Sequence, residues 1–148
     1  MTGNRVSYTL DSSLESVNTA EDTAQQYAAK VGFAEDDCQK ISMAVREAAV
    51  NAVLHGNAYD PKKKITIAFE TNTRSLVITV TDQGKGLDES TIPDPLAPEN
   101  LLKQSGRGIF LMRAFMDEVR IRILQPGTEV IMIKSFGGAA ARGKEEPK

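Results

Sequence analysis

Apolar residues recur along the chain at two spacings, and the changes between them divide it into elements. Residues 6–10 alternate apolar and polar side chains, the period of a half-buried strand. From 14 to 31 the spacing becomes helical and closes on Gly32, with Asp11 or Ser12 as the expected cap. A second helix is predicted from 35, where Glu35 and Asp37 suit a helix N-terminus. Its buried stripe should be Ile41, Val45, Ala48 and Ala52. It should stop at His55-Gly56, because glycine tolerates the left-handed position that ends many helices. A polar connection over 57–64 leads to two strand-like runs, 65–70 and 76–81, joined by a polar turn at 71–75.

Periodicity vanishes from 82 to 107, where Gly84, Gly86, Gly106, Pro93, Pro95 and Pro98 fall. So long a loop in a compact domain is often a lid or a binding loop, the alternative being a disordered insertion. Gly108 should open a short helix through Ile109, Leu111, Met112 and Phe115. Strands are predicted at 118–124 and 129–135, on either side of Gln125-Pro126-Gly127-Thr128. Beyond 136 the composition turns to Gly, Ala, Lys and Glu, which predicts one domain over 1–136 and a disordered tail over 137–148. A helix pair, a hairpin, a loop, a helix and a second hairpin make an α+β two-layer sandwich. Its sheet should be mixed or mostly antiparallel, with helices on one face.

Composition narrows the function. The 148 residues suit one domain, and 18 basic against 20 acidic residues give a net charge of −2. That balance argues against general binding to nucleic acid or to a membrane surface. One cysteine, Cys38, and one histidine, His55, leave no material for a disulfide or a His/Cys metal site. The first thirty residues carry Asp11, Glu15, Glu21 and Asp22 without an apolar run, and no stretch reaches the ~18 apolar residues of a membrane span. The expectation is a cytoplasmic protein.

Three clusters carry chemistry. Glu47 and Asn51, four apart, share one face of the second helix at the edge of its apolar stripe. Magnesium takes one or two oxygens from a protein and the rest from phosphates and water. Asn51 offers a neutral oxygen for it, and Glu47 a carboxylate to orient or deprotonate a hydroxyl or water; an exposed Glu and a solvated Asn fit the pattern too. Asp82-Gln83-Gly84-Lys85-Gly86 follows a strand, where Gly84 and Gly86 permit close backbone approach and Asp82 can accept from an exocyclic amine such as adenine's. A plain glycine-rich turn reads the same way. Ser105-Gly106-Arg107-Gly108 precedes a helix, whose free N–H groups, with the Arg107 guanidinium, suit phosphate oxygens. A flexible loop entering a helix is the alternative. Neither cluster completes a GxGxxG or a P-loop motif.

In this order the clusters resemble the GHKL ATPases, whose Bergerat fold is a mixed sheet under helices with a lid over ATP. Glu47-x-x-x-Asn51 looks like the family's asparagine box, and Asp82-x-Gly84-x-Gly86 and Gly106-x-Gly108 like its glycine boxes. The resemblance implies that Asn51 binds Mg2+, that Asp82 receives the adenine amine, and that the segment from Gly106 to Gly108 borders the phosphates. Thr128 would lie near adenine. Within the superfamily, residues 47–56, 80–86 and 106–119 look like the anti-sigma serine kinases of bacterial partner switching, over about 6–136. Such kinases inhibit a sigma factor, phosphorylate a serine or threonine of an antagonist protein, and commonly form homodimers. Glu47 would then act on the partner's hydroxyl. Arg107 would steady the transferred phosphoryl group, a role argued from its charge.

An ATP-binding module that sequesters a partner without phosphotransfer is the alternative, and a histidine-kinase or ATP-hydrolysing fragment a third. His55 is read as structural, Cys38 as a core thiol, and Lys62-Lys63-Lys64 as a solvated turn. Phe110, Phe115 and Met116 are read as core or interface.

Overall fold

The computed structural model describes residues 4–84, 104–124 and 126–136, with the helical backbone alone for 104–107. Among the described residues, five strands and three α-helices follow one another as β1 (Arg5–Asp11), α1 (Leu14–Lys30), α2 (Glu35–Val50), β2 (Lys64–Thr71), β3 (Ser75–Thr81), α3 (Gln104–Phe115), β4 (Glu118–Ile123) and β5 (Thr128–Ser135). The strands form one sheet in the order β1-β2-β3-β5-β4. All four pairings are antiparallel, so of the two expected arrangements the described strands adopt the antiparallel one. The predicted lid and tail lie outside the described residues.

Strand alternation sorts the sheet into two faces. Ile65, Ile67 and Phe69 of β2, Leu76, Ile78 and Val80 of β3, and Met132 of β5 are all buried. Register places them side by side, Ile67 opposite Val80 and Ile78 opposite both Phe69 and Met132. All three helices cover this face, α2 lying between α1 and α3 and packing against both. Helix α1 contributes Val17, Ala20, Ala24, Tyr27 and Ala28, spaced three or four apart but for the last pair, as a buried helical stripe requires. Phe69 anchors the layers: Tyr27 stacks on it at 4.9 Å, and Tyr8 meets it edge-on at 6.0 Å. Truncating so buried a phenylalanine to alanine costs ~3–5 kcal/mol.

Helix ends correct the sequence reading in three places. Ser13, not Asp11 or Ser12, caps α1, its side chain accepting from the Ser16 N–H. Helix α3 starts at Gln104, so Gly108 lies inside it and does not open it. The second helix does run to Gly56, but only Glu35–Val50 is α-helical, and Asn51–Gly56 forms a wider π-helical turn. The Asn57 N–H closes that turn on Ala52 O at 2.8 Å, five residues back. Gly56 is not left-handed; that conformation falls to Ala58 (φ 52°) and Tyr59 (φ 60°).

Two consecutive non-glycine residues in this region are strained, at ~1–2 kcal/mol each. Replacing the exposed Ala58 by glycine relieves that strain, while the freer unfolded chain takes back ~0.4–1 kcal/mol. Ala58→Gly should therefore stabilise the protein by up to ~1.6 kcal/mol in urea denaturation. A lowered midpoint would contradict the left-handed assignment.

Candidate functional site

The π-helical turn separates two groups of chemically active residues and holds them one turn apart. At its start stand Glu47, in the last α-helical turn of α2, and Asn51, both half-buried. Helix α3 passes close by. A methyl group on Gly108 would lie 3.0 Å from Glu47 Oε1 and 3.5 and 3.9 Å from Asn51 Nδ2 and Oδ1. Glycine here leaves the carboxylate, the carboxamide and the α3 backbone facing one another across a space that a side chain would fill. It is this clearance, and not a left-handed backbone, that Gly108 provides.

Two contacts fix the helices around that space. Arg46, beside Glu47, donates to Asn18 Oδ1 at 3.0 Å and Glu21 Oε1 at 2.9 Å, tying α2 to α1. Lys134, 13% exposed, donates to Phe115 O at 2.9 Å and lies 3.8 Å from Asp37. Its ammonium thus joins the C-terminal end of α3, whose dipole favours a cation, to the N-terminal end of α2 through the Asp37 carboxylate.

At the other end of the turn sits Asp82, where β3 leaves the sheet, 7% exposed. Its Oδ1 accepts from the Gly84 N–H at 2.9 Å and the Thr128 N–H at 3.2 Å, and its own N–H donates to Thr128 O at 3.0 Å. Oδ2 has no protein donor among the described residues and is open in that sense. Burial pushes the Asp82 carboxyl above the usual carboxylate range, opposed by those two N–H groups and by Lys63. A buried carboxylate with one oxygen held and one oxygen open is suited to accept from a ligand N–H.

Three glycines shape this end. A Cβ on Gly56 would fall 2.4 Å from Asp82 Cγ and Oδ2, covering the open oxygen. One on Gly84 would meet Gly56 O at 2.0 Å, so Gly84 makes room for the protein's own backbone. Gly127, at φ 106°, turns into β5 against Asp82 O. Sequence reasoning took Gly56 for a helix stop and missed this contact. A glycine two residues after a chain reversal and one at a helix end carry no signal that they touch.

Thus Glu47, Asn51 and Gly108 gather at one end, and Asp82, Gly84 and Thr128 at the other. Gly106 belongs to the first turn of α3. Gly86 and the Arg107 side chain lie outside the described residues. His55 is exposed, which gives its expected structural role no packing to support it. Cys38 is a core thiol as expected, 3% exposed and pushed up mainly by burial. Lys64 pairs with Asp11 at the sheet edge. Phe115 and Met116 pack in or against the core, whereas Phe110 is exposed.

The donor set suits magnesium. Among the described residues no three His, Cys, Asp or Glu side chains cluster as a metal cage. An ion carried largely by phosphates needs no cage, and the Asn51 carboxamide beside the Glu47 carboxylate fits the one or two protein oxygens required.

Comparison with known proteins shows the family. The histidine kinase-like ATPase domain family matches residues 10–134. The serine-protein kinase RsbW of Bacillus licheniformis is 35% identical over 118 residues, covering 76% of this chain and 73% of that protein. The anti-sigma F factor of Clostridium acetobutylicum is 31% identical over 126 residues, covering 82% of this chain and 87% of that protein. Among solved structures, the RsbU and RsbW domains of a Mycobacterium tuberculosis protein superpose with a TM-score of 0.66 at 22% identity, over 88% of this chain but 32% of that longer one. The catalytic domain of the histidine kinase ThkA gives a TM-score of 0.58 at 15% identity, over 88% and 97%.

The buried carboxyl generates a prediction. With its pKa raised on folding, Asp82 contributes stability that is complete below its unfolded pKa and lost as pH rises through the folded one. Asp82→Asn keeps an oxygen for the two N–H groups and removes the buried charge. Without ligand, the variant should melt above the wild type at pH 7, and the gap should close as pH falls below 4, near the ordinary carboxylate pKa of ~3.9. A variant less stable at neutral pH, or a gap independent of pH, would refute the assignment.

Proposed function

Because the chain belongs to the histidine kinase-like ATPase family, with relatives among the RsbW serine-protein kinases and anti-sigma F factors, we propose that it is an ATP-dependent serine/threonine kinase of a bacterial partner-switching system. It acts as an anti-sigma factor and phosphorylates an anti-sigma factor antagonist. One observation carries the reading: Glu47 and Asn51 converge on the α3 backbone one π-helical turn from a buried Asp82 with an open oxygen. That arrangement matches the two ends of a nucleoside triphosphate.

In this reading adenine's amine donates to Asp82 Oδ2, with Thr128 beside the base. The phosphates run along the π-helical turn toward the α3 segment of Gly106, Arg107 and Gly108. Asn51 Oδ1 would hold Mg2+, which would supply positive charge to the phosphate oxygens. Glu47 takes the proton of the partner's serine or threonine hydroxyl. The Oγ–phosphorus bond forms as the bond from the γ-phosphorus to the bridging oxygen breaks, leaving ADP. Arg107 is assigned to the γ-phosphoryl oxygens on its charge, and Gly84 and Gly86 to the turn around the base.

ATP-gated sequestration without phosphotransfer is not favoured, since the RsbW relatives are named serine-protein kinases and nucleotide binding alone does not need Glu47. A sigma factor and its antagonist are protein partners in the cytoplasm. Among the described residues no helix is long and apolar enough to cross a membrane. Pairing of two copies belongs to the same reading. The sheet face turned away from the helices supports it, with Val77 opposite Ile133 and Ile131 in the same strand, all only partly covered.

Two substitutions test the chemistry. Glu47→Gln should leave magnesium-dependent ATP affinity intact in calorimetry while phosphate transfer from labelled ATP to the antagonist falls ~10²–10⁴-fold; equal turnover removes Glu47 from the mechanism. Asn51→Ala should abolish the magnesium dependence of ATP binding, and its persistence would rule out the metal assignment.

A further inference from the structure

Asn57 directly follows the π-helical turn and is 1% exposed, although the sequence places it in a polar connection. Its carboxamide joins three distant segments. Nδ2 donates to Ser12 Oγ at 2.8 Å, where β1 hands over to α1, and to Lys64 O at 3.0 Å, where β2 begins. Oδ1 accepts from the Gln83 N–H at 2.8 Å. The network continues around it, Ser12 Oγ donating to Lys63 O at 2.6 Å and the Lys64 N–H to Gln83 Oε1 at 2.7 Å.

Gln83 is the residue between Asp82 and Gly84, so the bond from its N–H fixes the turn that aims the Asp82 carboxylate. Burying a carboxamide costs desolvation that a fully satisfied network only offsets; what such a network adds is a single geometry. Directly after Asn57 come the left-handed Ala58 and Tyr59. Strain of that kind persists only where the surroundings over-determine the backbone. Asn57 is held where its carboxamide must reach Gln83, and the next two residues absorb the consequence.

We propose that Asn57 is a positioning residue for base recognition: it locks the end of the π-helical turn to the Asp82-Gln83-Gly84 turn, and so sets the open Asp82 oxygen relative to Asn51 and Glu47. This rests on the nucleotide reading above. It goes further in assigning the adenine preference to a residue that does not touch the base.

The test compares magnesium complexes of ATP and inosine triphosphate, which lacks the 6-amino group, by calorimetry. The wild type should prefer ATP; a wild type that binds neither removes the nucleotide reading, and this inference with it. A wild type that binds both equally leaves nucleotide binding standing but overturns adenine recognition and the role of Asn57. In Asn57→Ala with wild-type circular dichroism, the ATP-to-inosine triphosphate affinity ratio should fall about tenfold, the factor that one mis-aimed hydrogen bond to a charged group represents. A uniform loss for both nucleotides is what a merely structural role produces, and that result, like an unchanged ratio, overturns the proposal. If Asn57→Ala does not fold, Ser12→Ala decides. It removes one of the three carboxamide bonds and should lower the same ratio by about two- to threefold, as one neutral hydrogen bond is worth; an unchanged ratio overturns the proposal.

Discussion

The carbonyl of Gly56 presses against Gly84 so closely that a methyl group there would lie 2.0 Å from it. Everything in the site depends on that approach. It brings the last turn of the second helix against the exit of β3, and with it the Asp82 carboxyl against the Gly56 Cα. Van der Waals repulsion makes the contact available to glycine alone, on either side. Were the two segments a methyl group further apart, Asp82 would face water and not a wall of backbone. The carboxylate proposed to read the ligand would then be one more solvated acid.

From this contact the rest follows in order. The π-helical turn spans Asn51–Gly56, so fixing its end fixes the distance from Asp82 back to Asn51 and Glu47. Helix α3 closes the other side because Gly108 lets it lie against those two side chains, while Lys134 holds its far end to α2. The sheet below, anchored through Phe69, supplies stiffness and no chemistry. Stability and function pull apart at Asp82. Its burial disfavours the charged form that the proposed ligand amine would need, a local cost of the kind found at binding sites.

Much of this was legible in the sequence, for reasons that differ by residue. Ile65, Ile67 and Phe69 recur at every second position, and Ile41, Val45, Ala48 and Ala52 recur three or four apart; each pattern names its element and buried face. Glu47 and Asn51 stood out at the edge of an apolar stripe and Asp82 at the end of a strand, Thr128 followed only from the family resemblance, and the fold gathers them at the two ends of one turn. The π-helical turn left no trace, because widening a helix by one residue needs no change in residue type. Asn57 was hidden for a related reason. A polar residue after a helix reads as solvated, and only the folded chain brings Ser12, Lys64 and Gln83 around it. Gly56 and Gly84 looked like a stop and a loop because long-range contact between backbones has no local signature.

The central claim is that the Glu47–Asn51 end and the Asp82–Thr128 end belong to one nucleotide site. The most direct measurement is a titration of the isotopically labelled chain with magnesium ATP, followed by amide chemical shifts in two-dimensional NMR. The account predicts that the amides of Asn51 and Gly108 and those of Asp82, Gly84 and Thr128 move together along one binding isotherm. Shifts confined to one end, or two isotherms with different midpoints, would show that the cleft is not a single site.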